Sequence, residues 1–120
     1  MIENIVKGKD EEAESQLKEK HVPSIEIMKG KGKQGKDVIE VAVGKETPHP
    51  NKVEHHIVWI VLHGVKNNGQ VVNFGRMDFA PAYVEPNTRF EVNSIDDFKS
   101  FYAVEYCNIH GLWENSVEVQ

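Results

Sequence analysis

His55-His56-Ile57-Val58-Trp59-Ile60-Val61-Leu62-His63-Gly64-Val65 holds the longest apolar run in the chain and is the first guide to its architecture. In extended backbone, successive side chains point to opposite faces. His56, Val58, Ile60 and Leu62 then point one way, and Ile57, Trp59 and Val61 the other. Both faces are apolar, which predicts an inner strand covered on both sides. Outward from it, six further stretches are rich in Val, Ile, Phe and Tyr and bounded by Gly, Pro, Asn or Asp: Ser24–Met28, Asp37–Val43, Gln70–Phe79, Thr88–Ile95, Lys99–Tyr106 and Trp113–Val119. Asn67-Asn68-Gly69 is a hairpin turn and Asp96-Asp97 a weaker one. Residues 9–20 are polar helix formers with little to bury, read as a short exposed helical turn. Seven short strands predict an all-β, immunoglobulin-like seven-stranded sandwich or barrel with an irregular N-terminal segment. There is no repeat or linker. Residues 1–120 are therefore read as one domain, with 1–20 an exposed segment carrying Glu19 and Lys20.

Composition narrows the function. An apolar share of 39% in 120 residues supports one modest core. No run approaches the ~18 apolar residues of a membrane-spanning helix. A net charge of −5 argues against a nucleic-acid binder that relies on overall positive charge. From residue 85 onward two bases, Arg89 and Lys99, stand against seven acids, while the rest of the chain is balanced. Lys29 to Lys36 (Lys-Gly-Lys-Gly-Lys-Gln-Gly-Lys) has four lysines and no acid. It reads as a flexible hairpin loop, either simply solvated or a dock for an acidic partner. Cys107 is the only cysteine, and residues 1–14 lack the apolar core of a secretory signal, so a reducing cytoplasm is expected.

Six histidines, His21, His49, His55, His56, His63 and His110, are the composition's excess. Three segments place them with other ligand types outside strands or at strand ends. Cys107-Asn108-Ile109-His110-Gly111 puts a thiolate and an imidazole on one tight turn, where backbone N–H groups can bond the sulfur. Taken alone, a buried structural cysteine beside an ordinary histidine explains it as well. His49 lies between Pro48 and Pro50, which stiffen its loop. His55 and His56 are adjacent on a strand and face opposite ways, so one of them joins a given site. His55, nearer the loop, is the choice, and His56 is left to the core or to a supporting role. His63 shares the face of His55 but lies roughly 26 Å along at ~3.3 Å per residue, and is read as structural. His21 comes from Glu19-Lys20-His21-Val22-Pro23, which alone could be a charged surface loop. Together they give five ligands, where a structural zinc site closes with four. Four imidazoles and a thiolate suit a square-pyramidal iron with one open position, although ligand type alone leaves copper and nickel open.

These residues resemble a known family. Glu19-Lys20-His21-Val22-Pro23, the run Gly44-Lys45-Glu46-Thr47-Pro48-His49-Pro50-Asn51 continuing to Glu54-His55-His56-Ile57, and Glu105-Tyr106-Cys107-Asn108-Ile109-His110-Gly111-Leu112-Trp113-Glu114 are similar to the superoxide reductases of the one-iron neelaredoxin type. The resemblance runs in order from Glu19 to Glu114. It implies one iron per chain, with His21, His49, His55 and His110 equatorial and Cys107 axial. It implies Glu19 as a sixth, reversible ligand and Lys20 as the charge that attracts superoxide and helps deliver protons. The implied reaction is one-electron reduction of superoxide to hydrogen peroxide, with electrons from rubredoxin or a similar donor. A homo-oligomer, dimer or tetramer, is also implied. The four-cysteine iron domain of the two-iron desulfoferrodoxins is excluded by the single Cys107. The segment Met77 to Asn93 is shorter than in many neelaredoxins, a departure that touches no ligand. Two other readings use the same cluster: a non-catalytic metal carrier or store, and a dismutase-like enzyme that also oxidises superoxide.

Overall fold

The computed structural model describes residues 5–9 and 15–119. Two β-sheets face one another. One runs β2 (Ser24–Met28), β3 (Asp37–Ala42), β6 (Asn87–Val92). The other runs β1 (Val6–Lys7), β8 (Gly111–Glu118), β7 (Phe98–Cys107), β4 (Ile57–Lys66), β5 (Val71–Asp78). All pairings are antiparallel except that of β1 with β8. The chain crosses between sheets after β1, β3, β5 and β6, which is the Greek-key wiring of an immunoglobulin-like sandwich. The seven expected strands are present, and the two-residue β1 is an eighth. The N-terminal helix covers Ser15–His21 (α1), and residues 10–14 of the expected helical stretch lie outside the described residues. Among the described residues, no helix is long and apolar enough to cross a membrane.

The core is built from inward faces of both sheets. Ile39 and Val41 of β3 meet Ile57, Ile60 and Leu62 of β4 and Phe101 and Ala103 of β7, all almost fully buried. Strand β4 is inner, as expected, lying between β5 and β7. Its outward face differs from the expectation: Trp59, Val61 and His63 are only half-buried. There Trp59 is covered by Tyr106, stacked at 5.9 Å, and by the Arg76 guanidinium 4.8 Å from its ring. The alternation also breaks where the ladder to β7 passes from Ile57↔Cys107 to Trp59↔Tyr106. Val58 is the extra residue of this bulge. The break returns Ile57 to the same core as Ile60 and Leu62.

Antiparallel wiring collects particular chain ends at one end of the sandwich. Ser24 pairs with Ala42, Ile57 with Cys107 and Cys107 with Gly111. The chain leading into β2, the loop from β3 to β4 and the β7–β8 turn therefore meet. The opposite end holds the Asn67–Gly69 turn and the Lys29–Lys36 loop, since Met28 pairs with Val38. That loop is a hydrogen-bonded turn rather than a loose one. Lys29 bonds Asp96 at 2.8 Å, Lys36 bonds Asn93 at 3.0 Å, and a short 3-10 turn spans Lys33–Gly35. The lysine loop, read as a dock for an acidic partner, lies at the end away from the histidine-bearing loops.

Candidate metal centre

Five side chains converge at the first of these ends. His21 is the last residue of α1, His49 and His55 lie in the β3–β4 loop, Cys107 ends β7 and His110 sits in the β7–β8 turn. Their ligand atoms, one from each, all lie within 4.8 Å of one another. The rings form a closed circuit: His21 to His49, His49 to His55 and His110 to His21 have centroids 4.7, 4.7 and 4.7 Å apart, and His55 to His110 5.2 Å. Four imidazoles around a quadrilateral leave the cysteine as the group out of the ring.

Hydrogen bonds decide which nitrogens face inward. His21 Nδ1 lies 2.7 Å from the Leu17 carbonyl oxygen, and His49 Nδ1 2.6 Å from that of Pro50. A carbonyl only accepts, so both Nδ1 atoms carry the proton and both Nε2 atoms carry a lone pair. Those two lone pairs face each other across 3.1 Å. Nε2 of His55 is buried with no partner among the described residues. Cys107 Sγ sits 3.3 Å from His49 Nε2 and 3.8 Å from His110 Nδ1. Converging lone pairs without hydrogens between them are unfavourable unless a cation sits among them. The donor set therefore fits a metal, and imidazoles with one thiolate fit iron.

The electrostatics agree. Burial is the main force pulling the pKa of His21 and of His49 down to about 4, partly opposed by their carbonyl partners. Both rings are thus neutral and able to coordinate at neutral pH. Burial first, then the nearby His110, pulls His55 down too. The Cys107 thiol is pushed up, chiefly by burial, against the help of the His110 and Ile109 N–H groups. The His110 N–H lies 3.4 Å from the sulfur. A site that resists ionising its thiol alone gives it up readily to a bound cation, which inverts the local charge logic.

Glu19 is not brought into the cluster. Its side chain is exposed and its Oε2 accepts a 2.7 Å hydrogen bond from the Thr47 hydroxyl. Lys20 is half-buried, close enough for its charge to depress the pKa of both His21 and His55. His56 stays out of the cluster, its ring bonding the Lys52 and Val53 carbonyls, and His63 lies far along β4. Trp113, to which the sequence alone assigns no role, supports the centre, and the equally unassigned Glu105 lies on the same strand as Cys107. The Trp113 ring stacks on His21 at 5.0 Å and its Nε1 donates to the His110 carbonyl. Glu105, two residues before Cys107 on the inward face of β7, is fully buried with neither oxygen bonded among the described residues. Burial pushes its pKa up to about 9, so it is a neutral acid. An acidic residue at an inward position between Ala103 and Cys107 was a visible signal.

Comparison with known proteins places this arrangement. The family model described as desulfoferrodoxin matches residues 13–116. The superoxide reductase of Pyrococcus abyssi is 46% identical over 109 residues, covering 85% of this chain and 89% of that protein. The neelaredoxin of Megalodesulfovibrio gigas is 34% identical, covering 84% and 87% respectively. The solved structure of the reduced superoxide reductase (neelaredoxin) from Archaeoglobus fulgidus superposes with a TM-score of 0.80 at 33% identity, over 97% of this chain and 98% of that one. Shared sequence along nearly the whole length, on a shared fold, means that the chain belongs to the desulfoferrodoxin family.

Proposed function

We propose that this chain reduces superoxide to hydrogen peroxide at a single iron held by His21, His49, His55, His110 and Cys107. The observation that carries the reading is the convergence of those five ligand atoms within 4.8 Å. Iron, when bound, supplies the one-electron chemistry by alternating between its ferrous and ferric states. One superoxide, one electron and two protons make one hydrogen peroxide. The electron comes from a one-electron carrier such as rubredoxin.

The protein's residues do the rest. The carbonyls of Leu17 and Pro50 fix the tautomers of His21 and His49 and aim Nε2 inward. The His110 N–H on the sulfur withdraws charge from Cys107 and moderates how strongly it donates to the metal. Lys20 places a positive charge at the mouth, which draws in a small anion and stabilises charge as it develops. Glu19 acts as a lid: for its carboxylate to reach the metal it must leave Thr47, a single exposed hydrogen bond, so the exchange is cheap.

Oxygen balance tests the reaction. Iron-loaded protein, given superoxide and a reductant, should consume superoxide without releasing oxygen from it. Oxygen release would mean dismutation, and no consumption above background would mean a metal carrier.

A further inference from the structure

The ligand loop and the cysteine turn are distant in sequence, and one side chain joins them. Asn108 follows Cys107 directly. Its Oδ1 accepts from the His56 N–H at 2.9 Å, and its Nδ2 donates to the Glu54 carbonyl at 3.0 Å. Its own N–H donates to the His56 carbonyl at 3.2 Å. These three bonds fall on both sides of His55. The N–H and carbonyl of His55 itself are taken by Lys52, at 3.1 and 2.9 Å. His55 therefore has its backbone held from within the loop, and its position relative to Cys107 held by Asn108.

The bonds stand where the sheet ladder ends. Ile57↔Cys107 is its last pair, and the Val58 bulge separates that pair from the regular β4–β7 ladder. Beyond it the backbone contributes the Asn108 N–H to the His56 carbonyl, and the Asn108 side chain supplies the other two bonds to the loop. The side chain also has to be an asparagine: one donor and one acceptor are needed on a short stem. Aspartate would set a carboxylate oxygen against the Glu54 carbonyl, and leucine would make neither bond. We infer that Asn108 is a positioning residue, a clamp that sets the distance between His55 and Cys107 and so pre-forms the metal site. This rests on the proposed iron site above.

The test uses the whole chain, stripped of metal and titrated with cobalt(II) against a competing chelator. Cobalt takes nitrogen and sulfur donors and reports a bound thiolate by its charge-transfer absorption. Asn108→Asp and Asn108→Leu should weaken cobalt binding by roughly tenfold to a hundredfold, as outer partners of metal ligands commonly do. The thiolate-to-cobalt band should also shift or broaden. Asn67→Leu is the reference, because Asn67 makes an exposed amide bridge to the Asp96 carbonyl at the far end of the sandwich. Metal-free Asn108 variants should melt as this reference does. Unchanged cobalt affinity and band would overturn the clamp. So would a loss of affinity that only tracks a lowered melting temperature of the metal-free protein, since Asn108 would then be an ordinary structural residue. If Asn108→Leu fails to fold, the milder Asn108→Asp decides by the same criteria. Wild-type protein that binds cobalt without a thiolate band would sink the iron-site reading itself, a separate failure.

Discussion

A neutral imidazole has one N–H and one lone pair, and at His21 and His49 the N–H groups are both committed to carbonyls. The sequence made the five ligands legible because their chemistry is local: a tight Cys-x-x-His turn, a histidine between prolines, a histidine at a strand's start. Roles that depend on distant partners were not legible. That Thr47 holds Glu19 away from the cluster, and that Trp113 backs His21 while bonding the His110 carbonyl, are consequences of folding. Lys20→Ala should slow superoxide capture by roughly tenfold at low salt and flatten its salt dependence. Stopped-flow rates across ionic strength check it, and an unchanged rate would remove Lys20 from the mechanism. Glu105 is held protonated by burial up to about pH 9, against an ordinary value of 4.5. Its contribution is fully present below pH 4.5 and is lost as pH rises toward 9. Glu105→Gln should therefore stabilise the metal-free protein by about 1–3 kcal/mol at neutral pH and by little at pH 4, as read by denaturant unfolding. Equal effects at both pH values would contradict it.

Among elements, strands were legible and irregularities were not. Runs of Val, Ile, Phe and Tyr between Gly, Pro, Asn and Asp marked β2 to β8, because such side chains pack against the dry face of a sheet. The β1 strand escaped because two residues carry no pattern. The Val58 bulge escaped because alternation shows nothing of an inserted residue until the partner strand is known. Loop geometry adds its own constraint at Gly44, which has φ +74 at the start of the ligand loop. A Cβ there would stand 2.6 Å from the His49 backbone nitrogen. Gly44→Ala should destabilise the fold by about 1–3 kcal/mol and weaken metal binding through His49. Melting temperature and metal titration read the two effects, and a variant like wild type in both would show that the loop tolerates the strain. On β4, Gly64 faces the Phe98 and Phe101 rings, and an added Cβ would lie 2.8 Å from Phe98 carbons. Gly64→Ala should cost a further 1–3 kcal/mol, roughly, through overpacking with no change at the metal.

For the molecule as a whole, the sandwich serves to bring three distant stretches to one end. Its net charge of −5 makes the local positive charge at Lys20 the more notable, since long-range attraction of an anion cannot come from the whole surface. Gathering neutral histidines has a consequence for stability. His21 and His49 hold a proton only below about pH 4 when folded, but near 6.5 when unfolded. Between those values the unfolded chain binds more protons, so metal-free protein should lose stability as pH falls from 6.5 toward 4. Denaturation midpoints of metal-free Glu105→Gln across that range isolate the histidine effect, and a flat profile would contradict it. Iron analysis with the visible spectrum of oxidised protein, wild type beside Cys107→Ser, shows whether four imidazoles and the Cys107 thiolate bind a single iron. One iron per chain, with a sulfur-to-iron absorption band that bleaches on reduction and is missing from Cys107→Ser, is the predicted result. The same band persisting in Cys107→Ser, or wild-type protein that takes up no iron, would contradict it.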